Sequence, residues 1–494
     1  MNLNISPDDV CWAQAETISD TWLLQFLEID ILRPIADFIL LHNRGNATEF
    51  AILRKGSYNI SLRLKYDPNG ATVIRFPQPG AVLFPEEKIV NEVSVMRFLA
   101  DQTTIPIPFI LMEYIEHETK LYDALNTPGL PREQRGVLDP DIAEAKLRRL
   151  YAQMADVLLQ LSLPALPRIG SLSQQDDFTW EVTRRPLSMN MNELVRLGCL
   201  PRSQLPHIDT TFPTASSYVQ FLADLNLDHL IHQRNDAVTS ADDCRRKYVA
   251  RCLFRSLARE QRLTTPALEN GPFNLWCDDL RPANVLLSQD LQIAGVVDWE
   301  FTYAAPVEFS HAPPWWLLIE RPEEWAGGIE EWTRVFGARL RTFLEVMTEC
   351  EDRAIQRGRL HEGQRLSGAM RRSWESGDFW VMYALRNSFA FDLVYWLKID
   401  ERFFGVSGRG VERAWEERVG MLSEEEKEEM EMLLTRKMAE RASRPHVWDA
   451  DEYTLAFQRE LERRREGDEG GKDEDGVDGS RGVEDNGTGA DGMD

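Results

Sequence analysis

Basic residues, closely spaced cysteines and long apolar runs are all scarce in this chain of 494 residues. Lysine and arginine number 56 against 81 acidic residues, and the formal net charge of −25 repels phosphate backbones and anionic lipid surfaces. Neither a nucleic-acid nor a membrane partner is expected. The six cysteines, Cys11, Cys199, Cys244, Cys252, Cys277 and Cys350, form no C-x-x-C pair, which predicts reduced intracellular thiols rather than a disulfide framework or a structural zinc site. No window offers ~18 uninterrupted apolar residues, and MNLNISPDDVCWAQAE has no basic start leading into an apolar stretch. A cytoplasmic protein is the expectation. A full G-x-G-x-x-G is missing too: Gly56 stands alone in its loop.

What is present suffices for a large core. Hydrophobic residues make up 43% of the chain, with 14 Trp and 22 Phe, so wholesale disorder is excluded. The length allows about three compact units or one two-lobed enzyme. The C-terminal stretch 466–494 differs in kind, with 11 acidic residues against Lys472 and Arg481 and nine glycines, and reads as a disordered acidic tail. Before it, Ser423 and Glu426 form a capping box that opens a long polar helix.

Apolar periodicity divides the rest. Thr17 to Leu41 has helical spacing with Pro34 as a break, predicting two short lead-in helices over 1–45. From Glu49 the pattern alternates: EFAILRKG, SLRLKY and ATVIRFP predict three antiparallel strands, separated by Gly56-Ser57-Tyr58-Asn59 and by Asp67-Pro68-Asn69-Gly70. Glu86 to Leu99 follows as an amphipathic helix with Val90, Val93, Met96 and Leu99 on one face, and IPIPFILMEYI returns to a strand. The reading is α+β: a small antiparallel-sheet lobe over 46–115, a larger, mainly helical lobe over 116–410 with an insertion at about 171–260, and C-terminal helices over 411–465.

The most informative stretch is NLWCDDLRPANVLLSQDLQIAGVVDWE, Asn274 to Glu300. Its runs VLL and IAGVV are joined by a short polar segment and predict a hairpin, which brings Asn284, just before the first strand, and Asp298, just after the second, to one open end. Asp279, on the entering loop, arrives there too. An amide oxygen and two carboxylates make a hard oxygen site suited to Mg²⁺, and crowding Asp278, Asp279 and Asp298 pushes at least one carboxyl towards protonation. Asp298 and Asn284 are the candidate metal ligands and Asp279 the candidate base for a hydroxyl, a sparse set that suffices for phosphoryl transfer. Cys277 reads as a small buried hydrophobe, His229 and His232 as ordinary polar residues, and Trp315 and Trp316 as core.

D-L-R-P-A-N from Asp279 to Asn284, followed by V-V-D-W-E, resembles the catalytic loop and metal motif of the aminoglycoside phosphotransferase and choline kinase-like enzymes. The longer run LWCDDLRPANVLL…GVVDWEFTYAAPVEFSHAPPWWLL is similar to the fungal phosphotransferase-enzyme family, and the likeness extends over roughly Glu49 to Gly405. That resemblance implies a protein kinase-like two-lobed fold, ATP in the cleft with Mg²⁺, and a small-molecule hydroxyl acceptor. It assigns Asp279 as catalytic base, Asn284 and Asp298 as metal ligands, and Gly56, Ser57, Tyr58 and Asn59 as the loop over the phosphates. It further implies Arg75 as the third-strand cation on the phosphates, Glu92 as its helix partner, and Glu113 and Tyr114 at the hinge that meets adenine. Cys277-Asp278 in place of His-Gly, and Arg75 in place of Lys, leave open an alternative: a pseudokinase serving as a nucleotide-binding or interaction scaffold. No activation segment or A-P-E follows Asp298, which sets a protein kinase aside.

Overall fold

The computed structural model describes residues 4–42, 46–56, 58–67, 70–107, 112–131, 134–446 and 448–470. Two helices lead in, α1 (Asp9–Phe26) and α2 (Ile29–His42). Asp8 caps α1 by accepting from the Cys11 N–H at 3.1 Å. The break between the helices falls at Leu27 and Glu28; Pro34, expected to interrupt them, lies inside α2. As the sixth residue of α2 it lacks the N–H that would bond back to the Asp30 carbonyl, a single missing intrahelical bond.

The alternating segments form the meander β1 (Asn46–Lys55), β2 (Asn59–Asp67) and β3 (Gly70–Pro77), followed after helix α3 (Pro85–Gln102) by the short β4 (Met112–Glu113), in sheet order β1-β2-β3-β4. Ile60 and Leu62 of β2 alternate inward and meet Phe26 of α1, with Trp22, Ile74 and Phe76 around them, so the lead-in helices cover one face of the sheet. Removing a side chain as buried as Leu62 costs about 2–5 kcal/mol. The buried side of α3 differs from the expected stripe: Met96 and Leu99 are inside, but Val90 is exposed, while Lys88, Asn91 and Glu92 are buried. Polar residues go inward there because Lys88 and Asn91 find their partners on the second lobe and Glu92 finds Arg75 on β3.

The second lobe begins with β5 (Thr119–Lys120), α4 (Leu121–Leu125) and α5 (Glu144–Ser162). The region read as an insertion contains the hairpin β6 (Ser171–Asp176) and β7 (Thr179–Arg184), then α6 (Met189–Leu197), α7 (Ala215–His232) and α8 (Ala241–Arg259), each of these helices capped by a Ser or Thr. Next come β8 (Asn274–Cys277), β9 (Val285–Leu287), β10 (Ile293–Val296) and β11 (Thr302–Ala305), and then α9 (Val307–His311) and the long α10 (Gly328–Gln356), which packs on α5. The aromatic run after Gly377 is α12 (Asp378–Arg386), preceded by α11 (Ser367–Ser376) and followed by α13 (Phe391–Val394), α14 (Asp400–Phe404) and α15 (Ala414–Arg418). Trp332, Phe336 and Phe379 stack there as core with Trp380 edge-on to Phe379, in line with a structural role for the aromatic stripes.

α16 (Glu424–Ser443) opens on the expected Ser423–Glu426 capping box. α17 (Glu452–Gly470) carries the chain back to the first lobe, where the Tyr453 hydroxyl donates to the Pro77 carbonyl at 2.8 Å. It also runs to Gly470, so the start of the stretch expected to lack structure is helical, continued by the helix-forming ELERRRE sequence; residues 471–494 lie outside the described residues. The architecture is the expected α+β pair of lobes, with the small antiparallel sheet in one and helices dominating the other.

One expectation about cysteine fails. Cys11 and Cys199 are joined as a disulfide across 188 residues, with 6.5 Å between their Cα atoms, while Cys244, Cys252, Cys277 and Cys350 are free and buried. Sequence spacing cannot show this contact, because the packing of α1 beside α6 makes it.

Candidate active site

Two antiparallel ladders build the site. β8 pairs with β11, Cys277 opposite Thr302, and β9 pairs with β10, Val285 opposite Val296. The β8–β9 connection therefore runs beside the β10–β11 connection, and the two are stitched together: the Asp278 N–H donates to the Phe301 carbonyl at 3.1 Å and the Val297 N–H to the Asn284 carbonyl at 3.0 Å. This juxtaposition brings Asp279, Asn284 and Asp298 to one end, as the hairpin reading anticipated.

Asn284 closes a 3₁₀ turn opened by Pro282, and its amide donates to the Asp279 carboxylate and to the Asp279 carbonyl, each at 2.9 Å. The other Asp279 oxygen lies 2.7 Å from Arg281 Nε. Burial pushes the Asp279 carboxyl up to about 6, with Arg281 opposing and the Asp298 carboxylate adding to the rise. Asp298 adopts φ 65°, a left-handed conformation that Asp tolerates better than most residues. Asp278 turns the other way: it accepts from Trp276 Nε1 at 2.6 Å and from the Met189 N–H at 3.1 Å, which ties the loop to the start of α6. Burial raises its carboxyl as well, opposed by Arg386. Cys277 lies sealed beneath, its thiol pushed up by burial and 3.9 Å from the Asp298 carbonyl.

The first lobe closes the site from above. Arg75 on β3 pairs with Glu92 of α3 and reaches Asp298 at 2.5 Å. Burial pulls Arg75 down, but the Glu92 and Asp298 carboxylates outweigh it and hold the guanidinium above its ordinary range. Asn91 fixes α3 to the loop below by donating to the Glu300 and Thr302 carbonyls, each at 2.9 Å. Lys88, four residues before Glu92 and so on the same helix face, sits 3.0 Å from Glu300 and covers the rings of Tyr58 and Phe301.

The tight turn after β1 is closed by the Gly56 N–H donating to the Asn59 carbonyl at 2.8 Å. Tyr58, from that turn, is folded into the cleft, where its hydroxyl donates to Glu193 of α6 and Arg196 lies over its ring. Ser57 lies outside the described residues. Glu113 pairs through its backbone opposite Thr72, and the Tyr114 N–H donates to the Ala71 carbonyl at 2.8 Å, so this segment leaves the sheet edge on its way to the second lobe.

The structure thus gathers Arg75, Glu92, Asp279, Asn284 and Asp298 into one cluster, with the 56–59 turn above it and Glu113–Tyr114 at the sheet edge. It adds residues that sequence reasoning passed over. Arg281 stands inside the D-L-R-P-A-N motif and the Lys88–Glu92 spacing is helical, so both carried a signal. Glu193 carried none, and neither did Arg321, which lies over the Trp315 ring and feels the charges of Glu323, Asp279 and Glu193.

The sequence profile of the phosphotransferase enzyme family matches residues 49–341. No curated protein matches the chain. Among solved structures, a macrolide 2'-phosphotransferase from Brachybacterium faecium is similar at 14% identity, covering 77% of this chain and 100% of that one, with TM-score 0.34. An ethanolamine kinase from Plasmodium vivax is similar at 11% identity over 80% of this chain and 89% of that one, with TM-score 0.35. An aminoglycoside phosphotransferase, APH(4)-Ia, is similar at 13% identity over 73% and 97%, with TM-score 0.33.

Proposed function

The chain belongs to the phosphotransferase enzyme family, and from that premise we propose that it transfers the γ-phosphoryl group of ATP, with Mg²⁺, to a hydroxyl of a small-molecule acceptor in the cytoplasm. The observation that carries this reading is the meeting of Asp279, Asn284 and Asp298 at one end of two stitched ladders, beneath a cation held by a helix carboxylate. The donor set fits a magnesium ion: Asp298 offers a carboxylate that is 37% exposed and Asn284 an amide oxygen, both hard oxygen donors. Bound there, the metal would neutralise charge on the phosphate oxygens.

The remaining roles fall to the chain itself. Asp279, its carboxyl shifted towards neutral pH by burial, orients the acceptor hydroxyl and takes up its proton. Asn284 holds that carboxylate in place through its amide. Arg281, beside it, is a fixed positive charge next to the transferring group. Arg75 bridges Glu92 and Asp298 and so ties α3 to the catalytic loop, and its fork can turn from Asp298 to a phosphate without leaving Glu92. Tyr58 with the 56–59 turn covers the phosphates and keeps water out, and Glu113 and Tyr114 border the base.

The scaffold alternative rested on Cys277-Asp278 and on Arg75 in place of Lys, and Arg75 keeps both its helix carboxylate and its reach into the cleft. The ladder pairing and the Asp278 contacts hold the loop without an imidazole, which removes the other motive. A thermal-shift titration tests the proposal. ATP with Mg²⁺ should stabilise the wild type and fail to stabilise Asp298→Ala. ATP consumption with a panel of hydroxyl compounds should be lost in Asp279→Asn, by about 10²–10⁴-fold if Asp279 is the base. Stabilisation independent of metal, or turnover indifferent to Asp279, would sink the assignment.

A further inference from the structure

A groove of about 430 Å³ lies where α5, the end of α10, the start of β10 and the chain leaving α3 come together. Asp279, Asn284, Asp298 and Tyr58 take no part in its walls, so it is separate from the site above. Its charge opposes that of the whole chain. Three arginines, Arg353, Arg357 and Arg359, face a single carboxylate, Asp156, in a protein of net charge −25. Asp156 already accepts from Gln160 Nε2 at 2.8 Å, and Arg353 rests 3.0 Å from Cys350 Sγ. Arg357 and Arg359 make no ion pair or side-chain hydrogen bond among the described residues. The contrast with Arg365, only a few residues further on, is direct: that guanidinium is shared among Glu351, Asp352 and Glu362.

A helix C-terminus attracts cations, and this accounts for Arg353 and for Arg357 at the cap of α10. It does not account for Arg359, beyond the helix end, or for the concavity. The walls also carry Ile105, Val157 and Ile293, apolar surface that an inorganic anion alone would leave uncovered. The volume falls in the range of small-molecule pockets. Guanidinium forks match the paired oxygens of a phosphate monoester, and an apolar wall suits the carbon skeleton attached to it.

We propose that this groove binds a small organic phosphate, with Arg357 and Arg359 on the phosphate and the skeleton against Ile293 and Val157. The position gives such binding a consequence. Pro106, in the groove, accepts the Val296 N–H at 2.8 Å, two residues before Asp298, so an occupant rests against the strand that leads to the candidate metal ligand.

Glucose 6-phosphate, AMP and inorganic phosphate, each titrated by calorimetry and thermal shift, test the proposal; the first two separate a sugar phosphate from a nucleotide as the source. Saturable binding of one of the organic phosphates is expected. It should weaken at least about tenfold in Arg357→Ala/Arg359→Ala, stay unchanged in Asp298→Asn, and fall with added salt because the arginines are exposed. Arg357→Glu, a single change at an exposed position, should abolish it, and the melting temperature without ligand checks that each variant folds. No saturable binding of either organic phosphate would overturn the proposal. So would binding that survives the arginine exchanges, binding lost in Asp298→Asn, or inorganic phosphate binding as tightly as the organic probes.

Discussion

Replacing Arg75 by Met should destabilise the protein more than any other single change at the cleft. The Arg75 and Glu92 side chains are only 17% and 10% exposed, and Glu92 sits near two further carboxylates, Asp298 and Glu300. Burial raises the Glu92 carboxyl and Arg75 opposes that rise, so deleting the guanidinium leaves an acid that can neither pair nor reach water. Breaking a buried pair in this way costs about 3–5 kcal/mol. The lower end is expected, since Asp298 is 37% exposed and water can screen it. Arg75→Met/Glu92→Met removes both charges and should recover most of that loss, leaving about 1 kcal/mol relative to wild type. Denaturant unfolding of the two single variants and the double variant measures the coupling. A loss below about 1 kcal/mol in Arg75→Met, or a double variant no more stable than the single one, would show that the pair is not the buried tie argued here. Arg75→Lys should fall between, because an ammonium cannot fork to Glu92 and Asp298 together.

Two further outcomes are expected. Tyr58→Phe removes the hydroxyl that donates to Glu193, so the turn over the cleft should be held less firmly: about 1 kcal/mol of stability is lost, and nucleotide enters and leaves faster in stopped-flow experiments. Unchanged rates would remove Tyr58 as a latch. His229 is fully buried, its imidazole lowered to about 3 by burial and by Arg251 and Lys437 nearby. Its contribution to stability is complete above the unfolded value of 6.5 and is lost as pH falls towards 3, at about 1.4 kcal/mol per pH unit within that window. His229→Gln should flatten the acid limb of the stability profile; an identical slope in the variant would refute the assignment.

The tautomer of the neutral His229 follows from its neighbours. Gln233 donates its amide to the Ser6 and Asn235 carbonyls, so its oxygen must accept from His229 Nε2, at 2.7 Å. Sequence alone marked this residue only as an ordinary histidine.

Local order was legible from the sequence wherever neighbours along the chain supply the physics. Alternation in SLRLKY fixed which β2 residues turn inward, a capping box fixed the start of α16, and a short polar joint between two apolar runs was enough to align Asn284 with Asp298. The α3 stripe misled because hydrophobic spacing says nothing of a face whose partners are carbonyls and charges from distant segments: Asn91 and Lys88 to Glu300 on the other lobe, Glu92 to Arg75 on β3. Only the tertiary structure decided that Cys11 meets Cys199, that Tyr58 reaches Glu193, that Arg75 also holds Asp298, and that three arginines border a groove beside β10. Such contacts join residues far apart in the chain, and no local periodicity encodes them; they exist because two lobes, each folded on its own pattern, come to rest against each other.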